Sequence, residues 1–398
     1  MNILILDIWK IIFDLLDFKS KMNLISTCKY LRQQLHIVDL YNIDKKYLRK
    51  LSMEVLQHSI FRNVTCLNVS YSHYYIYDIS FMEKLKKLNA NGLFGIDQNV
   101  MQKLDLIELE INYTYKIKNI SFMKNLKKLS IVGECGVDQN GIKGLDLIEL
   151  NIYDNNNIKN VSFMKNLKKL NANFNCGIDQ YGITELDLIE LNIGNNNKIK
   201  NISFMKNLKI LNVCGNKCEI DQNNIKGLDL IELYVSNNNK IKDVSFMKNL
   251  KILNAAGNCG IDQNGIEGLD LIELNVNDND KIKNVSFMKN LKNLHACYSS
   301  GIDQNGIKGL DLIELEVIDN EKIKDVSFMK QLKILHACYN SGIDQNGING
   351  LNLIEFSATG NEKIKNVSFM KQLRILYVYD TEINKYGIKE SKLIEILQ

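Results

Sequence analysis

The 398-residue chain contains no proline at all, a single tryptophan, Trp9, and five histidines. The lack of proline removes the usual punctuation of loops and linkers, and glycine and asparagine must do that work. No run of 18 apolar residues occurs, so no segment is expected to span a membrane. The opening Met-Asn-Ile-Leu-Ile-Leu is interrupted by Asp7, Lys10, Asp14 and Asp17 and has neither a basic leader nor a small-residue cleavage site, so no secretory signal is expected. Charge of one sign is also missing: 50 basic against 46 acidic residues leave +4, which gives no reason to expect nucleic acid or an anionic membrane as partner. Nine cysteines, an odd number without paired spacing, read as free thiols in a reducing, cytoplasmic compartment. Cys214 and Cys218 form the one close pair, and no histidine accompanies them, so no metal site is expected.

What is present in abundance is repetition. Ser-Phe-Met recurs eight times, as Phe81, Phe122, Phe163, Phe204, Phe246, Phe287, Phe328 and Phe369 with their neighbours, a period of about 41 residues. Inside each unit a shorter pattern recurs at half that period: Leu, two residues, Leu, one residue, an apolar residue, two residues, usually Asn, then an apolar residue. Leu188, Leu191, Ile193, Asn196 and Ile199 make one copy. This is the leucine-rich-repeat pattern, and about 17 starts run from Val64 to an incomplete copy at Leu393.

The pattern dictates local structure. In Glu190-Leu191-Asn192-Ile193, alternation with period two sends Leu191 and Ile193 inward and Glu190 and Asn192 outward, one short strand per repeat. An Asn after each strand can satisfy backbone groups at a buried turn, which predicts a ladder through Asn155, Asn175, Asn196, Asn216, Asn238, Asn258, Asn279, Asn320, Asn340 and Asn361. Cys135, Cys176 and Cys259, just beyond that slot, fit a place for a small buried side chain. No repeat can enclose its own apolar side, so the expected product is a solenoid stabilised by neighbouring copies. Its convex side should alternate between two constructions: a period-three apolar series, as Ile199, Ile202, Met205, Leu208 and Leu211, and a short helical turn capped by Asp179. The Phe of Ser-Phe-Met reads as a core spine residue.

The segment 1–40 is different in kind. Ile8, Ile11, Ile12, Leu15 and Leu16 recur at helical spacing, and a second helical stretch from about Lys21 carries Met22, Leu24, Ile25, Cys28 and Leu31. Asp44 to Gln57 reads as one further helix, with Leu48, Leu51, Val55 and Leu56 inward. The expected organisation is therefore a helical module at 1–40, a connecting or capping helix at 41–60, and about 16 full repeats plus an incomplete one over 61–398. The fold class is α/β.

Leu6-Asp7-Ile8, Ile11-Ile12, Leu15-Leu16-Asp17, Leu24 and the ending Ser26-Thr27-Cys28-Lys29-Tyr30-Leu31-Arg32 resemble a compact F-box, with Asp7 in place of the usual proline and Trp9 in place of the usual acid. Joined to leucine-rich repeats, the module is similar to the F-box/leucine-rich-repeat proteins, and the near-identical repeats rich in Asn, Ile and Lys resemble versions encoded by giant DNA viruses of amoebae. The resemblance implies docking of Leu6, Ile8, Ile11, Ile12, Leu15, Leu16 and Leu24 on the linker Skp1 of a cullin-type ubiquitin ligase, with the repeats choosing a protein substrate in the host cytoplasm. The other reading is that the same helices cap the solenoid of a protein-binding scaffold or inhibitor.

Strands stacked at about 4.8 Å would line about 80 Å of concave surface, enough for a protein partner. Its outward positions carry Glu108, Glu149, Glu190, Glu232, Glu273, Glu314, Glu355 and Glu395 on alternate strands. Lys87, Lys128 and Lys169 interleave with these early in the chain, whereas Ile210, Ile252, Ile334 and Ile375 take that place later, leaving an acidic row striped with isoleucine. The later half also collects His295 and Tyr298, His336 and Tyr339, and Tyr377 and Tyr379, a partner-binding patch in which Glu314 is the expected acid between the histidines. No constellation for catalysis, cofactor or metal is found, and the Lys-Ile-Lys runs read as a solvated edge. The chain stops at Gln398 inside a strand pattern, which predicts either self-association through an uncapped edge or fraying of the terminal copy.

Overall fold

A computed structural model describes residues 3–72, 76–92, 95–381, 383 and 395–397, the side chains of 3–8, 32 and 395–397 excepted. The chain divides into two compact units, Met1–Leu188 and Ile189–Gln398.

The first unit opens with three helices, α1 (Ile3–Leu15), α2 (Phe18–Thr27) and α3 (Lys29–Gln34). Asp17 starts α2 by accepting the Ser20 amide at 2.8 Å, and Cys28, in extended conformation, separates α2 from α3. Phe13, Ile25, Leu31 and Leu35 are buried. The sheet begins at β1 (Asp39–Leu40), which pairs in parallel with β2 (Cys66–Asn68). Between them the stretch read as one helix is two single turns, α4 (Lys45–Leu48) and α5 (Met53–Leu56). The break is capped: the Ser52 hydroxyl accepts the Val55 amide, so a new helix starts there. The new phase buries Leu48, Leu51 and Leu56 but turns Val55 to solvent, against the expected inward position. Parallel strands β3 (Lys87–Asn89), β4 (Glu108–Glu110), β5 (Lys128–Ser130), β6 (Glu149–Asn151) and β7 (Lys169–Asn171) follow, each in register with the one before.

The second unit continues the same construction with β8 (Glu190–Asn192), β9 (Ile210–Asn212), β10 (Glu232–Tyr234), β11 (Ile252–Asn254), β12 (Glu273–Asn275), β13 (Asn293–His295), β14 (Glu314–Glu316), β15 (Ile334–His336), β16 (Glu355–Ser357), β17 (Ile375–Tyr377) and β18 (Glu395–Leu397). Every described neighbouring pair is parallel, as in Glu273↔Asn293, Leu274↔Leu294 and Asn275↔His295. The central residue of each strand from β8 to β17 is buried and the first is half-exposed, which is the alternation expected of a leucine-rich-repeat solenoid. Leu393 and the remainder of 384–394 lie outside the described residues.

Sequence motifs now acquire physical roles. The Asp of Asp-Gln caps the short turn, Asp179 accepting the amides of Tyr181 and Gly182 at 2.9 and 3.1 Å. The Gln after it clamps consecutive repeats: Gln263 Oε1 accepts the amides of Lys283 and Asn284, while its Nε2 donates to the Asn284 carbonyl. The Asn of Asn-Val-Ser and Asn-Ile-Ser folds back to accept the Ser amide, as at Asn160 and Asn201, a turn motif local to the chain.

Two expectations are corrected. The Phe of Ser-Phe-Met is no core spine: seven of the eight, Phe81 to Phe328, are exposed, and the Met after each is buried. Met205 occupies the period-three slot between Ile202 and Leu208, so Phe204, one position earlier, falls outside it. The Asn ladder is also only half Asn. Asn155, Asn196, Asn238, Asn279, Asn320 and Asn361 are buried, while Asn175, Asn216, Asn258 and Asn340 are exposed and the interior slot beside them holds Cys176, Cys218, Cys259 and Ser341. The turns differ in length between alternate repeats, which moves the interior slot along by one or two places. Asn320 shows the value of the slot, with Nδ2 donating to the Ala296 and Ile302 carbonyls at 2.7 and 3.2 Å and Oδ1 accepting the Lys322 amide at 2.9 Å.

Candidate partner-binding face

In each unit the strands leave their first and third residues on an open face, and the two units dress it differently. In the first unit the first positions alternate in charge. Lys87 Nζ is 3.0 Å from Glu108, and Lys128 Nζ is 3.2 Å from Glu149 and 3.9 Å from Glu108. Tyr41 closes one end, donating to Glu110 with the Lys87 ammonium 4.0 Å from its ring centroid. Burial raises the Tyr41 phenol well above its ordinary range, and the Glu110 carboxylate adds to that.

In the second unit Glu232, Glu273, Glu314 and Glu355 hold first positions on alternate strands, with Ile252 and Ile334 between them and Ile375 after the last, all half-exposed. The strands of this unit contain no Lys or Arg. Tyr234 donates to Glu232 at 2.9 Å, and burial, with that hydrogen bond, pushes its phenol up to about 12.

The third positions hold a chain of contacts that the sequence reading misplaced. The acid between the two histidines is Glu316, not Glu314. Register sets His295 opposite Glu316 and Glu316 opposite His336. His295 Nδ1 lies 2.7 Å from Glu316 Oε2, His336 Nδ1 3.3 Å from Glu316 Oε1, and His336 Nε2 3.4 Å from Glu355 Oε1. The Glu355 contact is an ionic one only, since His336 Nε2 is buried without a hydrogen bond. Hydrogen bonds to Glu316 raise both imidazoles above their ordinary value, against burial. The same bonds, His295's first, hold the Glu316 carboxyl well below the usual carboxylate range. Counting strand positions would have found it, because Glu316 stands one repeat after His295 and one repeat before His336. Among the described residues no group of three or more His, Cys, Asp or Glu is arranged to hold a metal ion.

Tyr298 and Tyr339 come three places after the ends of β13 and β15, at a position with left-handed backbone, φ 58° and 54°. They are 48% and 53% exposed, and Tyr379 is exposed as well. Asp319 has the equivalent place between them, accepting the Asn340 amide at 3.2 Å. Tyr377 stands at the third position of β17, half-exposed. Far from this face in sequence, Ile11, Ile12 and Leu15 of α1 are exposed, Ile11 at 61% and Leu15 at 83%, while Leu16 and Leu24 are half-buried. The side chains of Leu6 and Ile8 lie outside the described residues.

No protein-family model matches the chain, and no curated protein matches it significantly. Solved structures similar in fold include the TLR13–ssRNA13 complex, 17% identical over 86% of this chain with TM-score 0.46. Another is the mouse RP105/MD-1 complex, 15% identical over 91% of this chain and 77% of that one, TM-score 0.48. A third is an internalin, InlF, from Listeria monocytogenes, 17% identical over 75% of this chain and 88% of that one, TM-score 0.39. The chain spans 63% of the first of these. The strand register and the buried ladder define the class on their own: this is a leucine-rich-repeat solenoid.

Proposed function

We propose that the protein is a non-catalytic adaptor in which the N-terminal helices dock on a Skp1-like linker of a cullin-type ubiquitin ligase and the repeats recruit a protein substrate. The observation that carries the docking half is the exposed apolar row Ile11, Ile12 and Leu15 on a helix whose Phe13 is buried against the rest of the module. One face of α1 thus holds the module together and another offers apolar surface to a partner. Nine cysteines that form no disulfide, six of them buried, suit a reducing compartment such as the cytoplasm. No helix among the described residues is long and apolar enough to cross a membrane.

The experiment is a pull-down of the full chain with purified Skp1, beside Ile12→Asp/Leu15→Asp. Capture lost in the double variant, with an unchanged circular dichroism spectrum, supports docking. A folded wild-type chain that fails to capture Skp1 overturns it. The second reading, a protein-binding scaffold whose N-terminal helices only cap the repeats, is favoured by the burial of Ile25, Leu31, Leu35 and Ile37 close to where β1 starts the sheet.

A further inference from the structure

We propose that Asn349 is a site of spontaneous covalent modification, at which the Gly350 amide nitrogen attacks the Asn349 side chain in the folded protein and leaves aspartate or isoaspartate with one added negative charge. The nitrogen gives up its proton to solvent and bonds to Cγ of Asn349, closing a five-membered succinimide. The Cγ–Nδ2 bond breaks, and Nδ2 takes up a proton and leaves as ammonia. Water then opens the ring at either carbonyl, so no oxidant, enzyme or cofactor enters the balance.

An Asn followed by Gly permits this step most readily, because glycine has no Cβ to screen its amide. The chain has six such pairs, starting at Asn91, Asn140, Asn264, Asn305, Asn346 and Asn349. Five of them are locked. In four, the glycine belongs to the turn capped by the Asp of Asp-Gln, and its N–H is spent on that cap: Gly141 donates to Asp138, Gly265 to Asp262, Gly306 to Asp303 and Gly347 to Asp344, at 3.0, 3.1, 2.9 and 3.0 Å. The carbonyls of these glycines are held as well, accepting the amides of Ile120, Val244, Val285 and Val326 from the repeat before. The backbone there is packed tightly, and a Cβ on Gly347 would stand 2.1 Å from the Lys324 carbonyl oxygen. A peptide so held cannot turn to close a ring. The fifth pair is tied through Asn112, whose carbonyl accepts the Gly92 amide at 2.9 Å and whose amide donates to Asn91 Oδ1 at 2.8 Å.

The sixth pair has none of these restraints. Asn349 and Gly350 are both exposed. Among the described residues, no hydrogen bond is made by the Gly350 N–H or carbonyl or by the Asn349 side chain. Gly350 has left-handed backbone, φ 75°, and a Cβ placed on it would meet nothing nearer than the Lys330 ammonium at 3.6 Å, the end of a flexible side chain. That ammonium also sets a positive charge beside the glycine whose amide must lose its proton, which favours the anionic form. The same turn position holds Lys143, Lys226, Glu267 and Lys308 in other repeats, so a charged side chain there, a carboxylate included, is compatible with the fold.

The test holds the full chain at about pH 8 for several days, with and without urea, and follows each pair by tandem mass spectrometry of tryptic peptides. Urea gives every pair its unstructured rate. Folded, Asn349 should keep within about threefold of that rate, while the other five slow by about tenfold or more, because each must first break its hydrogen bonds. Asn346 and Asn349 share the tryptic peptide from Ile334 to Lys363, so the comparison between them is internal. Ion exchange of the intact chain should resolve a more acidic species that Asn349→Gln removes, since glutamine would have to close a less favoured six-membered ring. Asn349 protected as strongly as Asn346 overturns the inference. So does equal conversion of all six pairs in the folded chain, or an acidic species that persists in Asn349→Gln.

Discussion

The two units are made from one repeat and follow the same interior pattern, yet their open faces solve the charge problem in opposite ways. In the first, Lys87, Glu108, Lys128 and Glu149 stand on neighbouring strands and neutralise one another. In the second, the lysine positions have become Ile210, Ile252, Asn293, Ile334 and Ile375, and Glu316 and Glu355 meet histidine instead. A leucine-rich repeat fixes its core through the inward positions and leaves the outward ones free to diverge. A face that cancels its own charge holds few unmet interactions, whereas one that leaves carboxylates beside isoleucine is furnished for another molecule.

The largest expected effect is one that should not distinguish the units. Asn155→Ala and Asn320→Ala each strip buried backbone groups of their partners and should cost about 2 to 4 kcal/mol, read by urea denaturation. Unequal costs would break the claim that both units follow one interior pattern. Next comes Glu316→Gln, which leaves two partly buried imidazoles without their carboxylate and should cost about 1 to 3 kcal/mol near pH 6.

The same cluster makes the second unit sensitive to pH. Both histidines have raised values when folded, so their contribution is full below the ordinary 6.5 and is lost as pH rises through the folded values. Glu316 is depressed, so its contribution is present above 4.5 and is lost as pH falls through the folded value. The cluster therefore stabilises most between about pH 5 and 6.5. Glu273 and Glu314 face His295, and Glu355 faces His336, all acting in the same direction. Melting temperature measured from pH 6 to 9 should fall more for the wild type than for His295→Asn/His336→Asn, and parallel curves would sink the assignment. The smallest effect belongs to the first unit. Lys128→Ala removes a surface pair and should cost about 0.2 to 1 kcal/mol, a difference that fades in high salt.

Repetition with two periods determined the class of fold, the strand positions and the identity of the inward Leu and Ile residues, because burial in a solenoid follows from pattern alone. The acidic row of the second unit was also legible, since every outward position can be counted from its Leu. The tertiary structure alone decided three things. Which residue after a strand turns inward depends on the length of each turn, so Asn175 faces solvent and Cys176 the core. Whether Phe204 or Met205 fills a slot depends on the phase of a period-three segment, and adjacent apolar residues do not reveal it. The meeting of His295 and His336 on Glu316 depends on register between strands of successive repeats, a contact made by stacking and not by any motif within one repeat.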